Sequence, residues 1–264
     1  MSRHPAITVL MAAYNAEQII SASIQAILDQ DFTNFEFIII NDGSTDGTLN
    51  LLNAFAGKDS RIKIIDQANT GLTKALNHGL RHAQGEYIAR IDADDIALPN
   101  RLSLQHSLMK KNKDIILSGG DCISIYPQGG EVHWGYMDEA TLRRATFLKT
   151  PFAHSTAMFR KDAALRLGGY DESFITAQDM ECWMRMTKAG RVVMLDHPLI
   201  RRHITDDAIS VKRRWRQFYD AMRARWRHNS WTQRPYALYY GCRSMLINLL
   251  PEAMVMRLTG KKTR

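Results

Sequence analysis

The chain has 264 residues, 45% of them hydrophobic and 23% charged, which is enough apolar material for one sizeable core and too much for disorder. Cys122, Cys182 and Cys242 are far apart, with no CxxC pair. That spacing argues against a disulfide framework or a zinc cage and suits a reducing compartment. The net charge of +8 is uneven: residues 211–264 carry thirteen Lys/Arg against Asp220 and Glu252, while the rest carry 22 bases and 25 acids. No apolar run reaches the about 18 residues of a membrane span. The opening MSRHPAITVL enters a strand-like segment directly, so neither a signal peptide nor a spanning helix is expected.

The first hundred residues alternate regularly. Ala6–Met11 is a short apolar run, Ala16–Leu28 has helical spacing, and Phe35–Ile40 (FEFIII) reads as a buried strand. Thr45–Phe55 follows as a helix, Arg61–Asp66 as a strand, Leu72–Ala83 as a helix and Tyr87–Asp92 as a fourth strand. Near-continuous apolar strands between amphipathic helices predict a Rossmann-like, mostly parallel sheet covered on both faces. Beyond Asp95 the pattern loosens. Helices are expected at Asn100–Lys111, Asp138–Leu148, Asp162–Leu167 and Gln178–Ala189, strands at Ile115–Gly119 and Arg191–Leu195, and a hairpin within Cys122–Trp134. The composition turns basic and aromatic near Ser210–Lys212. The predicted division is therefore a catalytic domain over 1–210 and a basic helical appendage over 211–264.

In open parallel sheets, ligands bind beyond the carboxyl ends of the strands. The residues just after the apolar runs are Ala12-Ala13-Tyr14-Asn15, Asp42-Gly43-Ser44, Asp66 to Gly71, and Asp92-Ala93-Asp94-Asp95. Three carboxylates within four residues repel one another, and a hard divalent cation such as Mg²⁺ or Mn²⁺ relieves that repulsion. Such ions share their coordination with ligand phosphates, so the cluster predicts a phosphate-bearing substrate. An acid at the end of the second strand, Asp42, suits a nucleobase or ribose, though a plain turn capping the next helix explains it equally. Neither GxGxxG nor GxxxxGK[ST] is present, which disfavours dinucleotide oxidoreductases and P-loop enzymes. A nucleotidyltransferase lacks its basic phosphate loop here, and nucleophilic Ser/His/Asp catalysis lacks a GxSxG.

Val9-Leu10-Met11-Ala12-Ala13-Tyr14-Asn15, Ile39-Ile40-Asn41-Asp42-Gly43-Ser44-Thr45-Asp46 and Gly85-Glu86-Tyr87-Ile88-Ala89-Arg90-Ile91-Asp92-Ala93-Asp94-Asp95 come in this order. Together with His154-Ser155-Thr156, Leu167-Gly168-Gly169-Tyr170-Asp171-Glu172 and Gln178-Asp179 they resemble family 2 glycosyltransferases of the GT-A fold, over roughly Ile7 to Leu195. The resemblance implies that Ala12, Tyr14 and Asn15 contact the nucleotide and Asp42 the uracil or ribose. It implies that Asp94 meets the metal, with Asp92 nearer the ribose and sharing the metal site, that Asp95 orients the donor sugar, and that Asp179 is the general base. Where the family usually has Glu-Asp, this chain has Gln178-Asp179. The family's Tyr-Arg-x-His setting falls on Arg201-Arg202-His203-Ile204-Thr205, out of clean register. His154 is a candidate for the acceptor cleft, with packing the equal alternative.

Trp215, Tyr219, Met222 and Trp226 recur on one helical stripe among arginines, a composition that suits an anionic membrane surface, a packed appendage, or, with no recognition module in sight, nucleic acid. The combined expectation is an inverting, Mn²⁺- or Mg²⁺-dependent glycosyltransferase. It would move a sugar from a UDP-linked donor to a glycan or lipid-linked acceptor in envelope or exopolysaccharide synthesis. It would bind no nucleic acid and lie in the cytoplasm or on the cytoplasmic face of the membrane. The rival from another class is a sugar-nucleotide sensor that does not turn over.

Overall fold

A computed structural model describes residues 4–126, 129–203 and 214–249. The expected boundary at Ser210–Lys212 lies outside the described residues. The first strands are β1 (Ile7–Ala13), β2 (Phe35–Asp42), β3 (Ile62–Gln67) and β4 (Tyr87–Arg90), separated by helices α1 (Ile20–Leu28), α2 (Thr48–Ala56) and α3 (Leu72–His82). They pair in parallel in the order β3-β2-β1-β4. Side chains alternate across a strand, so each apolar run feeds two cores. Ile7, Val9, Met11, Phe37 and Ile39 pack on one face with α1 and α2, and Leu10, Ile38, Ile40 and Ile88 pack on the other with α3.

The sheet then continues through strands of mixed direction. Short strand β5 (Asp95–Ala97) and helix α4 (Arg101–Lys111) are followed by β6 (Ile115–Ile125), β7 (Glu131–His133) and helix α5 (Glu139–Thr146). After a 3₁₀ turn at His154–Thr156 come β8 (Met158–Arg160), α6 (Lys161–Arg166), α7 (Gln178–Ala189) and β9 (Arg191–His203). The full order is β3-β2-β1-β4-β8-β6-β9-β5, with β7 on β6. β8 runs antiparallel between β4 and β6, and β6 pairs with β9 in parallel over most of their length. The expected mixed α/β class, with a mostly parallel sheet between helices, is what the structure has.

Two strands outrun their expected ends. β6 passes Gly119 and Gly120 because a Cβ there would collide with Phe152 and Leu199, so the glycines are packing positions rather than a stop. β9 passes Asp196-His197-Pro198 because register shifts at Gly120–Cys122 absorb the irregularity. β5 was not expected at all: three residues carry too short a period to read, and antiparallel pairing to β9 makes it a strand. The helix expected at Asp138–Leu148 is α5, capped by the Asp138 side chain, which accepts from the Thr141 N–H.

The C-terminal part consists of α8 (Arg214–His228) and α9 (Arg234–Leu249). α8 packs on α7 through Ala224, which joins Phe174, Ala177, Met180 and Met184 in a third small core. Among the described residues no helix is long and apolar enough to cross a membrane.

At the amino edge of the sheet, Glu36 ties four segments together. It accepts from Thr8 Oγ1 (2.6 Å), Lys63 Nζ (2.7 Å) and the Gln84 N–H (2.6 Å). Burial alone would raise its carboxyl, but these donors and the Lys63 charge hold it below the ordinary glutamate value. A depressed folded-state value adds stability above the unfolded-state pKa, and that contribution disappears as pH falls through the folded-state one. Glu36→Gln should therefore be less stable than wild type at neutral pH, with the gap closing in acid. Urea unfolding checks this, and an equal gap at pH 7 and about pH 3 would contradict it.

Candidate active site at the carboxyl edge of the sheet

Because β1, β2 and β4 are parallel neighbours, Tyr14, Asn15, Asp42 and Asp92 emerge at one edge. The two loops nearest β1 and β2 are clasped together. Asn15 Oδ1 accepts from the Thr45 N–H (2.8 Å), the Asn15 N–H donates to Ser44 Oγ (3.0 Å), and Glu17 Oε2 accepts from the Gly47 N–H (2.9 Å). Asn15 takes a left-handed φ of 48°, which asparagine tolerates better than most residues. Tyr14 is 53% exposed above this clasp, and Ala12 is partly buried beneath it.

Asp42 is buried and closes the turn after β3. Its Oδ1 accepts from Gln67 Nε2 (2.7 Å), the Thr70 N–H (2.9 Å) and Thr70 Oγ1 (3.2 Å); its Oδ2 accepts from the Gly71 N–H (2.8 Å). One lone pair of Oδ2 is left for a ligand. Gln67 and Thr70 lie in the Asp66 to Gly71 stretch, but the sequence assigns them no role of their own, since nothing local marks a side chain that serves a neighbouring strand.

The acidic cluster is organised by Arg90, whose side chain is fully buried in β4. Its Nη2 pairs with Asp92 Oδ1, and its Nε and Nη1 have no partner among the described residues. Ser155 Oγ donates to Asp92 Oδ2 (2.8 Å) and accepts the Asp92 N–H (3.0 Å). Burial alone would push Asp92 up, but the Arg90 guanidinium beside it, aided by the Ser155 hydroxyl, holds it at about 2. The permanent charge of Asp92 then acts on its neighbours. Asp94 is exposed, and the crowding protein atoms and then Asp92 raise its carboxyl above the ordinary value. Burial, then Asp92 and Asp94, push Asp95 up to about 7.

Asp179 stands in the first turn of α7, 85 positions beyond Asp94 in sequence. It is half-buried, and burial followed by the charge of Asp92 raises its carboxyl, while Arg90 opposes. Asp92, Asp94, Asp95 and Asp179 therefore share one electrostatic neighbourhood. The residue immediately before α7, Ala177, holds a left-handed φ of 53°, at a cost of about 1 kcal/mol for a side-chain-bearing residue. Gln178, in the usual glutamate's position, is buried.

His154 borders the same neighbourhood. Its Nε2 meets the Tyr170 hydroxyl at 2.9 Å, and its ring packs edge-on to Tyr170 and Trp183. Burial, then Arg90, hold it well below the ordinary histidine value, so the ring is neutral. His203 ends β9 and is exposed. Arg202 beside it faces Asp95 across the β5–β9 pair and lowers both Asp94 and Asp95. Its guanidinium lies 4.9 Å over the Trp134 ring, with Nε donating to Ser124 Oγ (3.2 Å). This braced cation was missed because only the pairing of β5 brings it to the cluster.

Both Asp92 oxygens have protein partners, whereas Asp94 has none among the described residues. No three His, Cys, Asp or Glu side chains close into a cage among the described residues. The donor set thus fits a hard cation held by one or two carboxylates that takes its remaining ligands from water and phosphate.

Residues 8–168 match the family described as Glycosyl transferase family 2. The chain is 34% identical over 230 residues to the "Putative glycosyltransferase EpsE" of Bacillus subtilis, covering 81% of this chain and 78% of the relative. S. aureus TarS 1-349 in complex with UDP superposes with a TM-score of 0.68 at 20% identity, covering 88% of this chain and 68% of that one. The mannosyltransferase PcManGT from Pyrobaculum calidifontis, in complex with GDP-Man and Mn2+, gives 0.66 at 18% identity, covering 98% and 80%. These two structures share the fold.

Replacing Asp92 by Asn would leave the buried Arg90 cation without its anion. The substitution should destabilise the protein by roughly 3 kcal/mol, the lower end for a broken buried pair because Asp92 is partly exposed. Urea unfolding measures this, and an unchanged midpoint would refute the pairing.

Proposed function

The chain belongs to glycosyl transferase family 2, and on that footing we propose that it transfers a sugar with inversion from a nucleotide donor, UDP-linked, to a hydroxyl of a glycan or lipid-linked acceptor of the cell envelope. The observation that carries this reading is the parallel pairing of β1 with β2 and β4, which brings Tyr14, Asn15, Asp42 and the Asp92–Asp95 cluster to one edge of the sheet.

Asp42, with its free lone pair, and the Tyr14–Asn15 loop receive the nucleoside. Asp95 orients the donor sugar, and Asp94, with Asp92 behind it, holds a divalent cation. When bound, Mn²⁺ or Mg²⁺ supplies charge stabilisation to the departing diphosphate. Arg202 adds a fixed positive charge on the same side. Asp179 accepts the proton of the acceptor hydroxyl as its oxygen attacks the anomeric carbon and the carbon–oxygen bond to the nucleoside diphosphate breaks. Its raised pKa makes it a stronger base, and its place at the amino end of α7 favours the ionised form the reaction needs.

Asp94→Ala should abolish Mn²⁺-dependent binding of UDP, while Asp179→Asn should keep that binding and lose at least about a hundred-fold in donor hydrolysis. Calorimetry and release of UDP from a panel of UDP-sugars separate the two. Wild-type turnover by the asparagine variant would remove Asp179 from its role. Tight donor binding without turnover in the wild type would favour a sensor.

The acceptor reading is supported by the outer face of the C-terminal helices. Trp215, Tyr219, Trp226, Trp231, Tyr236 and Tyr239 are each more than half exposed. Arg234 lies 4.4 Å over Trp226 and 4.5 Å over Trp231. A hollow of about 470 Å³ is lined by Tyr219, Met222, Arg223, Trp226 and Arg227. Aromatic rings among cations suit the interface of an anionic bilayer. Since α8 also packs on the catalytic unit, point substitutions test this better than deletion. Trp226→Ser with Trp231→Ser should lower sedimentation with phosphatidylglycerol vesicles roughly ten-fold and leave the melting temperature near wild type. Equal partitioning would reject the surface.

A further inference from the structure

The segment Asp171–Ala177 leads into α7 and therefore decides where Asp179 points. It is a loop with one residue, Ala177, in a left-handed conformation that alanine does not favour. Such a turn persists only where its surroundings over-determine it. Thr73 of α3 holds one point of the segment, donating to the Phe174 carbonyl (2.7 Å), and α8 supplies the contacts next to the turn. Asp220 Oδ2 accepts from Thr176 Oγ1 (2.9 Å) and from the Thr176 N–H (3.2 Å), and Arg216 Nε braces the same oxygen at 2.9 Å. One turn further on, Arg223 donates to the Ser173 carbonyl (3.1 Å) and hydroxyl (2.6 Å). Arg227 pairs with Asp171 at 2.6 Å, and the guanidinium groups of Arg223 and Arg227 lie 4.3 and 5.2 Å over the Phe174 ring.

Asp220 is the unusual member. Its side chain is fully buried, yet Oδ1 has no hydrogen-bond partner among the described residues. A merely structural helix contact would be served as well by an apolar residue, since a half-satisfied buried carboxylate is a poor source of stability. What an aspartate does there and an apolar residue cannot is fix the backbone N–H of Thr176, one residue before the left-handed turn.

We infer that Asp220 is a positioning residue: through Thr176 it locks the turn at Ala177 and so aims the Asp179 carboxylate, which makes α8 a working part of the catalytic unit. The inference rests on the reading of Asp179 as the base. It adds that the same helix which carries the aromatic outer face sets the geometry of the base on its inner face.

The test uses the full chain. Asp220→Asn and Thr176→Val are compared with wild type by amide hydrogen exchange, by UDP binding with Mn²⁺ in calorimetry, and by hydrolysis of UDP-glucose and UDP-N-acetylglucosamine. Both variants should raise exchange across residues 174–182 by roughly five-fold or more while leaving residues 88–95 unchanged. The UDP affinity should stay within about two-fold and kcat should drop roughly ten-fold, the size of effect a slightly misplaced group produces. Thr176→Ser, which keeps both donors, should restore wild-type values. Unchanged exchange, or a loss of UDP affinity in step with kcat, overturns the inference. If wild type hydrolyses neither sugar, the donor assignment fails while the exchange comparison still decides whether Asp220 holds the turn.

Discussion

A guanidinium with no access to water sits in the middle of the sheet, and one carboxylate answers it. The Arg90–Asp92 pair is where the fold and the site meet. Burying a cation is expensive unless it is paired, so β4 must deliver Asp92 back onto its own strand, and Ser155 must hold the other oxygen. The consequence is an aspartate that stays ionised under any physiological condition. Burial first, and then its fixed charge, raise Asp94, Asp95 and Asp179. Carboxylates with raised proton affinity gathered around one negative centre attract cations, and they supply a base when one of them is ionised.

The division of labour among these acids follows from what each still has to offer. Asp92 is engaged on both oxygens, and Asp42 on all but one lone pair, so both shape the site before they contact anything. Asp94 is open. Asp179 stands on a helix start whose approach is strained and braced. Residues with free capacity are few here, and each is held by neighbours that have none, the arrangement expected where preorganisation rather than flexibility sets the chemistry.

Helix α8 presents two chemically different sides. The inner side of α8 offers Ala224, Asp220, Arg223 and Arg227 to the loop before α7, and Arg225 to the Leu148 carbonyl after α5. Its outer side offers tryptophan and tyrosine. The stripe at Trp215, Tyr219 and Trp226, whose spacing among arginines left a membrane surface, a packed appendage and nucleic acid open, is exposed. The helix packs instead through its polar side, because the loop it meets presents carbonyls, a hydroxyl and a carboxylate.

Local chemistry was sufficient for much of this. Continuous apolar runs such as FEFIII can be stable only between two layers of helices, so the parallel half of the sheet followed from the sequence, as did the edge where Asp42 and Asp92 emerge. The ordered motifs from Val9 to Gln178-Asp179 carried the family. The sequence could not show which carboxylates were already engaged, because Gln67 and Ser155 act across strands or between distant segments, and because Arg90, though only two positions from Asp92, is turned onto it by burial within the sheet. Nor could it show that β5 exists, since three residues become a strand only when β9 lies alongside. Arg202 stayed hidden for the same reason, and so did the grip of Asp220 on Thr176, 44 positions away. The sequence by itself determined the layers and the chemical types at the edge, because periodicity and side-chain chemistry are local. The tertiary structure alone decided protonation, aim and partnership, because those depend on which groups from far along the chain come within a few ångströms of one another.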